Sequence, residues 1–196
     1  MNFNSLKYLI LGIYFIHLML MGHDAETNKP FEKVHAHNTL DAHFHAGWES
    51  RYFSEGRDAL NGKSLWNSSL EIGYDHLSGG VWYGRSSNHQ YDEWQYNLAL
   101  SQEMGGYSFY AGYTHLIFAK DVESDDEWST GISYEGLPFN LITSLDAYYS
   151  MDAKGTFYEW SNTREFNPQE DLDISFSGTF GWNENYITDG HDGLNY

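Results

Sequence analysis

Cysteine is missing from all 196 residues. Its absence excludes a disulfide scaffold, a thiolate nucleophile, a zinc ribbon, an iron–sulfur cluster and anchoring through a lipidated cysteine. Positive charge is scarce: 10 Lys and Arg stand against 28 Asp and Glu, a net charge of −18. No basic patch of useful size can be built from that, so nucleic acid is not an expected partner. Long hydrophobic runs are missing too. The longest, Tyr8–Met21 (YLILGIYFIHLMLM), is shorter than the ~20 apolar residues of a helix that spans a bilayer. Aromatics are plentiful, at 16 Tyr, 12 Phe and 7 Trp, and so is Gly at 19. A disordered chain has few aromatics, and the length suits one domain.

The apolar run follows a polar stretch carrying Lys7 and precedes the small residues Gly22 and Ala25. That order is the layout of a secretory signal peptide, expected over 1–25, although no clean A-x-A triplet marks a cleavage point. Residues 26–41, with Pro30, Lys29, Lys33 and scattered polar residues, show no period and are expected to form a His-containing linker.

From residue 42 onward the period is two. Phe44, Ala46 and Trp48 alternate with His43, His45, Gly47 and Glu49. The split recurs in Leu70, Ile72, Tyr74; in Tyr96, Leu98, Leu100; in Tyr107, Phe109, Ala111, Tyr113; in Trp128, Thr130, Ile132, Tyr134; and in Leu172 through Trp182. Less regular segments lie near 81–85, 141–151 and 157–166, which makes nine strands, with no helix expected after the signal peptide. Side chains alternate faces along a strand, so each has one greasy face and one polar or tiny face.

A soluble barrel would turn the apolar face inward. Two features favour the inverted arrangement. The polar faces are rich in Gly and Ser with interspersed carboxylates, which suits a wet or crowded lumen. Aromatics also end the apolar faces, six to eight residues apart, which is roughly 15–20 Å along a tilted strand and close to the apolar band of outer-membrane barrels. The expected aromatic girdle is Trp48, Tyr52, Trp66, Tyr74, Tyr96, Tyr107, Tyr113, Trp128, Tyr134 and Trp182.

Connections alternate in expected length: long at Glu55–Ser64, tight at Leu77–Gly80, long at Ser86–Glu93, tight at Glu103–Gly106, long and acidic at Ala119–Glu127, shorter at Gly136–Asn140. Long loops outside and short turns in the periplasm are the pattern of an up-and-down barrel. The fold expected is therefore an all-β, antiparallel, up-and-down transmembrane β-barrel. Nine strands that start in the periplasm end at the surface, whereas single-chain bacterial barrels use an even number. Gly193–Tyr196 could begin a tenth, so about 9–10 strands of 10–12 are expected, in a C-terminally incomplete barrel.

Gly47–Asp58 (GWESRYFSEGRD) resembles the first strand of Gram-negative outer-membrane β-barrel porins, where an aromatic, a basic residue and a Gly close the strand before a long loop. Ala111–Phe118 (AGYTHLIF) and Trp128–Pro138 (WSTGISYEGLP) are similar in texture. The resemblance spans 43–196 and is one of pattern. It implies an outer-membrane location and passive diffusion of small polar solutes, with membrane lipid, lipopolysaccharide and the outer-membrane assembly machinery as partners. It carries no catalytic residue.

Glu49, Arg51, Glu71, Asp75, Glu103, Asp146 and Asp173 are the expected lumen charges, mainly negative and hence favouring cations. The same residues could instead form a plug around Arg51. His43 and His45 could offer two imidazoles on one strand face to a metal ion, with Glu49 further along. Asp121, Glu123, Asp125, Asp126 and Glu127 lack the spacing of a calcium loop and are expected as a solvated loop. No enzyme is expected and no cofactor: His115 falls on the apolar side, Ser129 and Ser133 on the polar side, and G-x-S-x-G is absent. Two rival readings are a soluble periplasmic ligand-binding barrel of lipocalin type and a non-conducting structural or adhesive barrel.

Overall fold

A computed structural model describes residues 40–54, 57–169, 172–186 and 192–194, without side chains at 167–169 and 172–173. The expected signal peptide and nearly all of the expected linker lie outside the described residues.

Twelve strands follow one another: β1 (Leu40–Glu49), β2 (Phe53–Ser54), β3 (Arg57–Asp58), β4 (Leu65–Tyr74), β5 (Leu77–Ser86), β6 (Asp92–Met104), β7 (Tyr107–Phe118), β8 (Glu123–Leu137), β9 (Leu141–Ser150), β10 (Gly155–Gln169), β11 (Leu172–Glu184) and β12 (Gly193–Leu194). β2 and β3 form a small ribbon within the first loop. The others form one ten-stranded antiparallel sheet in chain order, β1-β4-β5-β6-β7-β8-β9-β10-β11-β12. A single 3₁₀ turn, Pro138–Asn140, is the only helical element among the described residues. The nine long strands are those the alternation marks, and the tenth begins at Gly193. β1 starts at Leu40, two residues before the expected boundary.

The sheet is not closed. Among the described residues β1 pairs with β4 alone and β12 with β11 alone. Both β1 and β11 run toward the same end, so they cannot join as antiparallel neighbours, and the two residues of β12 are too few to fill the ladder between them.

One end of the sheet, the turn end, carries tight connections: Asp75–His76, Gly105–Gly106 and Pro138–Asn140. The other, the loop end, carries longer ones, the first running from Ser50 to Ser64. Gly105 and Gly106 both have positive φ, 61° and 82°, which suits a two-residue hairpin whose twist matches its strands. Two connections differ from expectation. The tight turn falls at Asp75–His76 rather than Leu77–Gly80, because Asp75 itself takes the left-handed conformation (φ 55°) that short polar side chains tolerate. The acidic loop is only Ala119–Val122, and the carboxylates after it belong to β8.

The two faces of the sheet differ sharply in exposure. Phe44, Trp48, Trp66, Leu70, Ile72, Leu98, Leu100, Phe109, Ile132, Leu145, Trp160, Phe176 and Phe180 are all exposed, and all lie on one face. The opposite face is covered, and what it buries is largely polar: Ser78, Ser86, Glu93, Thr114, Glu127, Ser129, Ser144, Asp146, Ser150, Ser161 and Asn183. Among the described residues no second layer packs on it, and the main strand contacts run between sheet neighbours. Selective burial without a second layer means that the sheet curls around its polar side, as strongly twisted sheets of many strands do.

Cross-strand rings hold the register on the exposed face. Trp48 meets Trp66 at 6.4 Å, Tyr113 meets Trp128 at 5.3 Å, Tyr107 meets Tyr134 at 4.4 Å and Trp160 meets Phe180 at 5.6 Å between centroids. Such pairs supply roughly 0.5–1.5 kcal/mol each beyond their burial.

At the loop end, Asn185 runs beside β10 and bridges Thr156. A Cβ on Gly155 would lie 2.0 Å from the Asn185 carbonyl carbon, a backbone atom that cannot swing aside. Gly155→Ala should therefore destabilise the fold by about 1–3 kcal/mol, measured as a lower urea midpoint. Gly178→Ala, whose Cβ would meet nothing within 4 Å, should leave the midpoint unchanged or raise it.

Candidate functional site: the covered polar face

The covered face is built from every second residue of each strand, and its carboxylates stand on the strands themselves. Glu49 accepts a hydrogen bond from Asn67 Nδ2 at 2.7 Å. Glu71 faces His43 across β1–β4. Glu93 accepts from Gln95 Nε2 at 2.6 Å and from the Tyr91 hydroxyl. Asp146 lies opposite Glu159 across β9–β10, and Tyr110 hydrogen-bonds to both Asp146 and Tyr148. No Lys or Arg occupies a strand position on this face among the described residues.

Hydroxyls and amides join these acids into a belt. Ser144 Oγ lies 2.6 Å from Ser161 Oγ and donates to Asp146 Oδ2 at 3.2 Å. Thr114 Oγ1 donates to Asn97 Oδ1 at 2.8 Å, and Thr163 Oγ1 lies 2.9 Å from Ser177 Oγ. Ser129 Oγ is buried without a hydrogen-bond partner. Burying hydroxyls and acids is costly unless they are bonded, and this belt bonds nearly all of them.

Two apolar covers close over the belt at the loop end. In the first, Tyr52, Leu60 and Leu65 are buried together, with Trp82 and Tyr91 against them. The Tyr52 ring lies 6.4 Å from that of Trp82 and 6.2 Å from that of Tyr91, and Ala59 N donates to Tyr52 O at 3.0 Å. Tyr52 and Leu60 of the first loop are thus folded onto the covered face. In the second, Tyr186 stacks near Phe157 at 5.8 Å, and its hydroxyl donates to Glu127.

Of the expected lumen charges, Glu49, Glu71 and Asp146 stand on the covered face, and Glu103 stands on it near the turn end, opposite Ser108, but is exposed. Arg51 does not: β1 stops at Glu49, and Arg51 sits in an exposed bend. Asp75 does not either; it makes the turn and lies 3.5 Å from His76 Nε2. The side chain of Asp173 lies outside the described residues. Glu93, Glu127 and Glu159 belong to the face but were missed, because the alternation at the ends of β6, β8 and β10 is masked by Asp92, by the acidic run and by Trp160.

The expected girdle residues are on the exposed face with one exception. Tyr52 is only 2 % exposed, since it lies beyond the end of β1 and turns into the first cover. His43 and His45 share a face of β1, but among the described residues no three His, Asp or Glu side chains come together around a metal position. Asp121 and Glu123 of the acidic run are exposed, whereas the rest of it is bonded. Asp125 accepts from Ser150 Oγ at 2.5 Å and Asp152 N at 2.9 Å; Asp126 accepts from the Tyr113 hydroxyl at 2.5 Å and lies 2.8 Å from His115 Nδ1.

Compared with protein families, curated proteins and solved structures, the chain matches none.

Tyr52→Ala should free the first loop by removing about 3 kcal/mol of ring packing, so trypsin should cut faster at Arg57 and Lys63 than in the wild type.

Proposed function

We propose that this chain forms the wall of a Gram-negative outer-membrane β-barrel that passes small polar solutes by passive diffusion and prefers cations. The carrying observation is the inverted burial: aliphatic and aromatic side chains exposed, hydroxyls and carboxylates covered. Soluble proteins rarely expose contiguous apolar patches beyond a few hundred Å², and an exposed face of this breadth calls for a lipid solvent.

Three polar side chains on the exposed face support the same reading. Trp160 Nε1 donates to Thr143 Oγ1 at 3.1 Å, and the Thr130 and Thr143 hydroxyls donate to the Tyr110 and Ser161 carbonyls at 2.9 and 3.4 Å. Groups satisfied within the wall need no water, which hydrocarbon cannot supply. In the proposed orientation, the turn end faces the periplasm and the loop end faces lipopolysaccharide. An N-terminal signal peptide would export the chain, and the outer-membrane assembly machinery would insert it. Closure of the wall by further pairing at β1 and β11 is part of the proposal. The lipocalin-type alternative requires the opposite burial.

Cation preference follows from strand-borne Glu49, Glu71, Asp146 and Glu159 facing a lumen whose strands carry no Lys or Arg. A second reading, a barrel that does not conduct, is favoured by one observation: the covers of Tyr52 and Tyr186 at the loop end. Planar bilayers separate the two. The proposal expects discrete conductance steps with cations preferred, and Asp146→Asn with Glu159→Gln should lower the cation-to-anion permeability ratio severalfold. Insertion without steps would favour the non-conducting barrel; anion preference would refute the charge argument; recovery of the protein without detergent would remove the membrane.

A further inference from the structure

Arg164 stands on the exposed face of β10, on the rung shared by Leu141 of β9 and Phe176 of β11. Its neighbours are rings. Its guanidinium carbon lies 4.2 Å from the Phe166 ring centroid and 5.6 Å from that of Phe139. Phe166 in turn meets Phe176 edge-on at 5.6 Å. Phe139 belongs to the Pro138–Asn140 turn, holds a φ of 68° and is 78 % exposed. In a chain with 28 acids, this exposed cation is held by phenyl faces, with no carboxylate bonded to it among the described residues.

Stacking on a ring uses the face of the guanidinium and leaves its N–H edges free. Those edges match a planar pair of oxygens, as in phosphate. An arginine on a lipid-facing strand is costly at the middle of the bilayer and nearly free at its interface. Arg164 lies toward the turn end, six residues of β11 below Trp182 on the rung of Phe176, the spacing that separates Tyr107 from Tyr113 on β7. This places the charge at the rim of the apolar band, where headgroup phosphates lie.

We propose that Arg164, stacked between Phe139 and Phe166, binds the phosphate of a phospholipid headgroup at the turn-end rim. The inference rests on the membrane reading given above. The neighbouring acid, Glu165, is on the opposite face of the strand and does not compete for the headgroup.

The test uses the full chain inserted in liposomes and then taken into detergent micelles doped with phosphatidylglycerol or with galactosyldiacylglycerol, which lacks phosphate. Native mass spectrometry counts the lipid retained. Wild type should retain the phospholipid at least about tenfold better, the scale of one hydrogen bond to a charged group. Arg164→Gln should bring the ratio to about one while heat-modifiable gel mobility and liposome insertion stay unchanged, and Arg164→Lys should keep part of it. Equal retention by wild type, or an unchanged ratio in Arg164→Gln, overturns the lipid site and leaves the membrane reading standing. Displacement of the lipid by excess inorganic phosphate would mean a site for the free ion and also overturns it. Failure of wild type to insert overturns both.

Discussion

The whole architecture depends on the backbone ladder pairing like side with like side. In an antiparallel register, directly opposed residues point to the same face. The observed register sets Trp48 against Trp66, Leu77 against Leu100, Met104 against Tyr107 and Ile132 against Leu145. On the other side it sets Asn97 against Thr114, Ser144 against Ser161 and Asp146 against Glu159. A slip of one residue at any rung would move a set of rings into the polar belt and a set of acids onto the apolar face. Two strong penalties, one for burying unbonded polar groups and one for mixing charge into an apolar surface, therefore select the same register.

Size matters on the covered side as much as polarity. A sheet that curls brings its inner side chains together, so that face must carry small residues or leave gaps beside large ones. Gly131 shows the second solution: a Cβ there would lie 2.1 Å from Asp146 Oδ1 and 2.3 Å from the Tyr110 ring. The missing side chain is the space in which the tyrosine reaches the acid. Serine supplies the first solution, at Ser78, Ser86, Ser129, Ser144, Ser150 and Ser161. The same small residues that look nondescript in the sequence are what lets the belt close around its carboxylates.

Much of this was legible from spacing, because face alternation is a local property. While a strand lasts, residue parity names the face, and Leu98, Phe109, Ile132 and Phe176 all lie on the exposed side, where parity puts them. Parity says nothing once a strand stops. β1 ends at Glu49, so Arg51 and Tyr52 left the pattern, one into solvent and the other into a buried cluster. Turn placement was obscured for a related reason: Leu77–Gly80 has the composition of a turn, yet Asp75 takes up the left-handed conformation first. The acidic run was harder still. Four of its five carboxylates are strand residues, and Tyr113, His115, Ser150 and Tyr186 bond three of them, the last from 59 residues away. Composition alone cannot see a donor at that distance.

The polar face thus has two kinds of wall with different mechanical standing. The carboxylates at positions 49, 71, 146 and 159 belong to the ladder, where moving one means breaking paired backbone hydrogen bonds, on one side for Glu49 of the edge strand and on both sides for the other three. The covers formed by Tyr52 and Tyr186 belong to connections, held by ring packing and a few hydrogen bonds. Local opening costs least where contacts are few and backbone pairing is absent. Under the proposed membrane reading, the sign of the lumen's charge is then a property of the strands and is fixed by folding. Its width at the loop end is a property of two loops and can change without disturbing that charge. Under the same reading, selectivity and aperture would be separable because one is written into a cooperative ladder and the other is only laid upon it.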